Sequence, residues 1–231
     1  MAEPPVVAIA GATGGLGPVV ARRLADAGAI LSLAGRDQDK LDDLAASLGP
    51  LAEGQEVDLL DAAATMAWAD AVDGQFGRVD AVLHLVGGWR GGKPIEEAPL
   101  DDWDHLHGLL VRTVQHVSRA FAPHLLASRG RFAIVSSSQA QAPTSGNAAY
   151  AAAKAAAEAW TLALADRFRG TGATANVVVV GSILTPALRA EKPGEAFAGH
   201  TPAEEIADAL AFIAEGRAPS MNGQRVVLRG A

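Results

Sequence analysis

No cysteine occurs in the 231-residue chain. That excludes a disulfide framework, a thiolate nucleophile and a cysteine-bound metal; it suits a reducing compartment, and a cytoplasmic location is expected. Aromatic residues are scarce at 5 %, and Tyr150 is the only tyrosine. Lys and Arg total 19 against 26 Asp and Glu, a formal net charge of −7 with no cationic block. Neither nucleic acid nor an anionic membrane is therefore an expected partner. No stretch is long and apolar enough to span a bilayer, and the lead Met1-Ala-Glu-Pro-Pro has no cationic run of the kind that opens a secretion signal. The histidines form no ligand pattern: His105 and His107, two residues apart, diverge on a helix, and no metal is expected.

What is present is apolar. Hydrophobic residues make up 49 % of the chain, enough for a sizeable core. Short apolar runs, read as buried strands, fall at Val6–Ala10, Ile30–Ala34, Glu56–Leu59, Ala81–Val86, Arg131–Ser136, Thr174–Val180 and Gln224–Leu228. Between them lie helical stretches: Pro18 to Gly28, Gln38–Ser47, Ala62–Phe76, Trp103–Ser128, the alanine-rich Ala148–Phe168, and Ala203–Glu215. Gly181–Thr201, with mixed composition, reads as a flap, its substrate-facing part spanning 184–200. Alternating strands and helices, with strands apolar on both faces, predict an α/β fold. It is a Rossmann-like, doubly wound parallel sheet of about seven strands, in one domain over residues 1–231.

Two motifs carry chemistry. Gly11-Ala-Thr13-Gly14-Gly15-Leu16-Gly17 joins the first strand to the first helix. Glycines there let backbone approach a pyrophosphate, and the helix N-terminus favours its charge, so a dinucleotide is expected. At the tip of the second strand, Gly35 stands where a carboxylate would hold the ribose of NAD, and Arg36 follows. An arginine suits the 2′-phosphate of NADP, which is expected, with NAD as the alternative. In the alanine-rich helix, Tyr150 and Lys154 stand at i and i+4 and share one face. A nearby cation stabilises a phenolate, making Tyr150 a usable general acid or base.

The Gly11/Gly15/Gly17 turn, Ser136-Ser137-Ser138 after the fifth strand and Tyr150/Lys154 occur in an order that resembles the short-chain dehydrogenase/reductase family, over essentially the whole chain. The resemblance implies reversible hydride transfer between a nicotinamide and a carbonyl or alcohol, with Ser137, Tyr150 and Lys154 catalytic. Ser137 is selected because the family's serine typically precedes its tyrosine by thirteen residues. By the same likeness Asp58 and Leu59 contact the adenine, and Gly87 borders the cofactor. Gly181 and Ile183 flank the nicotinamide, Thr185 holds its carboxamide, and Lys154 grips the ribose. A homodimer or homotetramer is implied, packed through the two long helices, with Val111, Val114 and the Ala155–Ala159 face as close-packing candidates and the last strand at another interface.

The sequence also departs from the family. Leu110 replaces the helix asparagine that helps relay protons to the lysine, Val180 replaces a proline, and His84-Leu85-Val86-Gly87 replaces Asn-Asn-Ala-Gly. His84 is read as a satisfied buried polar group. The loop Val86-Gly-Gly-Trp89-Arg-Gly-Gly92 resembles that of dihydropteridine reductases, which makes NADH-dependent reduction of a quinonoid pterin an alternative activity. A dinucleotide-binding sensor or scaffold without efficient turnover is the other alternative.

Overall fold

The computed structural model describes residues 3–218 and 220–230. The first two residues of the N-terminal lead thus lie outside the described part. Seven strands form one parallel sheet: β1 (Val6–Ala10), β2 (Ile30–Gly35), β3 (Ala52–Glu56), β4 (Ala81–His84), β5 (Arg131–Ser137), β6 (Thr174–Val180) and, last in the chain, β9 (Arg225–Val227), in the order β3-β2-β1-β4-β5-β6-β9. The chain runs outward one way from β1 to β3, then returns to lay β4 on the other side of β1. That reversal opens a crevice at the C-terminal ends of β1 and β4, where ligands of doubly wound sheets bind.

The helices are α1 (Gly17–Asp26), α2 (Gln38–Leu48), α3 (Ala62–Phe76), α4 (Leu100–Leu106), α5 (Thr113–Ser128), α6 (Ala148–Phe168), α7 (Pro186–Glu191) and α8 (Ala203–Ala214). Alternate residues of β1 feed opposite cores, as a period of two requires. Val6, Ala8 and Ala10 join Trp68, Phe121, Phe132 and Phe168 under α3, α5 and α6, while Val7 and Ile9 join Leu24, Leu31, Leu33 and Leu210 under α1 and α8. Trp68 is fully buried, edge-on to Phe121 at 4.8 Å between centroids, and its indole N–H donates to Ser32 Oγ at 3.0 Å. The buried polar end of the ring is thereby satisfied. Among the described residues, no helix is long and apolar enough to cross a membrane.

Several expectations are corrected. The third strand is Ala52–Glu56, not Glu56–Leu59. It is the sheet's edge, so its polar Ala-Glu-Gly-Gln-Glu needs no apolar face; the apolar Val57 and Leu59 are instead buried in the loop beyond. The fourth strand stops at His84, although the Leu85 N–H still donates to the Ala10 carbonyl. The helix expected from Trp103 begins at Leu100 and is continuous through α5, but His107–Arg112 is wound as π-helix. There the Thr113 hydroxyl donates to the Leu109 carbonyl at 2.7 Å, a bond of the kind that perturbs a helical ladder. The flap carries structure of its own: β7 (Ser182–Leu184) pairs in parallel with β8 (His200–Pro202), with α7 between them. Val111 and Val114 are buried in this chain's own core, leaving neither free for a partner.

Candidate active site

The crevice holds two adjoining hollows that share Gly14, Leu85, Val86 and Gly87. The first, about 660 Å³, is bounded by Gly11, Thr13, Gly35, Arg36, Asp37, Lys40, Asp58 and Leu59. The second, about 540 Å³, is bounded by Gly15, Leu16, Ser137, Tyr150, Lys154, Gly181, Ile183 and Thr185. Every expected site residue except Gly17 therefore lines one continuous cleft. Gly17 serves the turn itself: a Cβ there would lie 2.1 Å from the Ala12 carbonyl oxygen, so only glycine lets α1 start so close to the turn.

The glycine turn is built for close approach. Gly11 has φ of +82°, and a Cβ on it would stand 2.9 Å from the Val86 nitrogen. A Cβ on Gly15 would stand 3.2 Å from Thr185 Cγ2, so the turn and the flap face each other across bare backbone. These positions form a cradle that any side chain would fill, which fits a pyrophosphate between them.

In the first hollow the charges are sorted. Asp37 caps α2, accepting the Lys40 N–H at 3.2 Å, and pairs with Lys40 Nζ at 2.8 Å. Among the described residues, Arg36 makes no ion pair. Asp58 spends one carboxylate oxygen on the Leu60 N–H at 2.9 Å. Lys40 lines this hollow and was not singled out from the sequence; its spacing, three residues after Asp37 on a helix, was the available signal.

The second hollow is assembled from the tip of β5 and the first turns of α6. Ser137 ends β5 and is buried, its Oγ accepting the Gln139 N–H at 3.2 Å. Asn147 closes the entry to α6, accepting the Thr144 N–H at 2.7 Å and donating to Gln139 Oε1 at 2.9 Å. Tyr150 follows, half-buried, and Lys154 lies one turn on, buried, with Nζ donating to the Val135 carbonyl at 2.8 Å and standing 5.9 Å from the phenol ring's centroid. Thr185 caps α7, its Oγ1 accepting the Leu188 N–H at 3.2 Å, which leaves the hydroxyl proton available.

The electrostatics run against the sequence expectation that Lys154 lowers the phenol. Burial raises the Tyr150 phenol above its ordinary value, and the group that opposes this is the Ser137 hydroxyl. Lys154 itself is lowered to about 8, first by burial, with Glu158 pulling the other way. His84 is buried, its Nε2 3.0 Å from Thr113 Oγ1, and is lowered to about 3 by desolvation and then by Lys154, so it is a neutral structural group. Leu110 packs with Leu106, Val111, Ala153 and the Tyr150 ring, an apolar patch where the family's asparagine would stand.

The three partly exposed tryptophans differ in place. Trp89 lines the second hollow and is 57 % exposed. Trp160 lies outside the cleft, donating its indole N–H to Ser118 Oγ at 2.9 Å, and Trp103 packs against His107. Among the described residues, no group of three or more histidine, aspartate and glutamate side chains is placed to hold a metal.

The chain is similar to known proteins in sequence and in fold. The family model described as short chain dehydrogenase matches residues 5–196. Meso-2,3-butanediol dehydrogenase of Serratia marcescens is 32 % identical over 234 residues, covering 97 % of this chain and 93 % of the relative. A 3-ketoacyl-(acyl-carrier-protein) reductase from Brucella melitensis, solved with NADH, superposes with a TM-score of 0.88 at 24 % identity, covering 99 % of this chain and 98 % of that one. The NADPH-bound short chain oxidoreductase of Pseudomonas aeruginosa, described as containing an atypical catalytic center, gives 0.88 at 22 % identity, covering 97 % and 95 %.

Proposed function

The chain belongs to the short chain dehydrogenase family, NAD(P)-dependent oxidoreductases acting on CH–OH and C=O groups, and from that premise we propose an NADP(H)-dependent enzyme with Tyr150 as its general acid and base. The observation that carries this reading is the meeting of Ser137, Tyr150 and Lys154 on one hollow continuous with the glycine turn.

A nicotinamide dinucleotide held in this cleft would supply or take the hydride. Each residue then has a defined task. Gly11, Thr13, Gly14, Gly15 and Leu16 hold the dinucleotide by backbone and close packing, with Asp58, Leu59 and Gly87 around the adenosine. Arg36 faces the 2′-phosphate, and Lys40 adds a second cation nearby. Gly181, Ile183 and the Thr185 hydroxyl flank the nicotinamide end. In carbonyl reduction Tyr150 gives its proton to the oxygen as negative charge develops there, and Ser137 donates a hydrogen bond to the same oxygen. In alcohol oxidation both transfers reverse. Lys154 contributes a positive charge beside the phenol and binds the ribose.

Trp89 supports a second reading. Its half-exposed ring borders the Ser137–Tyr150 hollow and could cover a flat heterocycle, which suits a quinonoid pterin reduced with NADH. The partly exposed apolar side chains Trp103 of α4, Trp160 of α6, Phe212 of α8 and Val227 of β9 support a homodimer or homotetramer.

The test is fluorescence titration with NADPH and NADH beside cofactor consumption over a panel of carbonyls and quinonoid pterins. Turnover with NADPH that disappears in Tyr150→Phe while cofactor binding survives is the expected result. Near-normal rates in that variant remove Tyr150 as the acid. Tight binding with no turnover on any panel member favours a sensor instead.

A further inference from the structure

A carboxylate buried in a helix flank is costly unless its oxygens are satisfied. Glu158 is 1 % exposed in the middle of alanine-rich α6, and it is satisfied from three directions. Ser136 Oγ donates at 2.6 Å from β5, Gln141 Nε2 donates to its two oxygens at 2.8 and 2.7 Å from the loop after β5, and Arg225 Nε donates at 2.6 Å from β9. None of these contacts belongs to the chemistry described above. Glu158 nevertheless stands four residues after Lys154, on the same helix face. The two side chains grip successive residues of one strand: Lys154 holds the Val135 carbonyl and Glu158 holds the Ser136 hydroxyl, with Ser137 next.

We propose that Glu158 is a positioning residue for Lys154, a buried anion one helical turn away that keeps the ammonium charged and in place. The role given to Lys154 rests on the proposed function, whereas the ionisation of its amine does not. The groups around Lys154 leave Glu158 as its counter-charge. His84 from β4 is neutral, and Tyr150 on its own helix is a phenol raised by burial. β5 supplies the Val135 carbonyl and, on the same hollow, the Ser136 and Ser137 hydroxyls, β6 supplies Val180, and the cation from β9, Arg225, is bonded to Glu158 itself. Burial and Glu158 act on the amine in opposite directions.

The chain has four lysines, Lys40, Lys93, Lys154 and Lys192, so 13Cε-lysine labelling of the full chain gives few NMR signals. The Lys154 signal is identified by its loss in Lys154→Met. Its titration midpoint is read in the unaltered protein and in Glu158→Gln, with no substrate and no turnover required, so failure here is separate from failure of the oxidoreductase reading. The expected result is a midpoint lower by about one pH unit or more in Glu158→Gln. An unchanged midpoint overturns the proposal, even if the variant melts earlier, because a merely structural Glu158 would change stability alone. If Glu158→Gln does not fold, Arg225→Met keeps the carboxylate and removes its guanidinium, so the midpoint should rise; a midpoint that stays or falls overturns the proposal.

Discussion

The Ser137 hydroxyl and the Tyr150 phenol, thirteen residues apart in the chain, face each other across the second hollow, and the serine is the group that counters the upward push of burial on the tyrosine. In the proposed mechanism the pair would act as a unit, the serine orienting the reacting oxygen and setting how readily the phenol yields its proton.

Ser137→Ala is expected to lower kcat about 10²- to 10³-fold through loss of one donor to the developing oxyanion. It should also release Tyr150 to titrate higher, so the rise of alcohol oxidation with pH moves to more alkaline values. Initial rates in both directions across pH check both effects; a profile unmoved on the pH axis would separate the two residues.

Arg36→Ala tests cofactor choice. A charge-assisted bond to the 2′-phosphate is worth about 1.5–3 kcal/mol, so NADPH should bind roughly ten- to a hundredfold more weakly, with NADH nearly unaffected. Fluorescence titration of both cofactors reads this. Equal weakening of the two would assign Arg36 a general electrostatic part.

Leu110→Asn puts the family's usual residue back into a patch made by Leu106, Val111, Ala153 and the Tyr150 ring. An amide without partners there should cost about 1–3 kcal/mol, seen as a lower urea midpoint. No gain in turnover is expected.

His84 predicts an acid-sensitive fold. Its value drops from 6.5 to about 3 on burial. Between those limits the unfolded chain binds the extra proton, so stability is complete above pH 6.5 and falls as the pH drops toward 3, by up to about 1.4 kcal/mol per unit. In His84→Leu the Thr113 hydroxyl keeps its bond to the Leu109 carbonyl, and urea midpoints measured at pH 7 and pH 4.5 should lie closer together than in the unaltered protein.

Much of this was legible in the sequence because apolar runs and glycine punctuation report burial directly. β1, α3, α6 and β6 have the bounds read from their patterns. The edge strand Ala52–Glu56 was not legible, since a strand covered on few sides carries no hydrophobic signal. The π-helical turn was equally silent, being a backbone event with no composition of its own. In the cleft, the turn glycines, Arg36 and the Tyr150/Lys154 spacing were visible as motifs. The Glu158 cluster was not, because Ser136, Gln141 and Arg225 converge only once β9 is laid beside β6. The i,i+4 step from Lys154 to Glu158 was the one trace of it in the linear chain.

The wider winding at His107–Arg112 means that the helix from Leu100 to Ser128 holds a surplus residue. Removing one residue there would restore ordinary spacing and swing everything before it by about 100° around the axis. Leu106 would leave its seat beside Ala153, and the wall of the cleft that begins with Tyr150 would lose its backing. The tolerance of this helix to length change is thus tied, residue for residue, to the shape of the chamber in front of it.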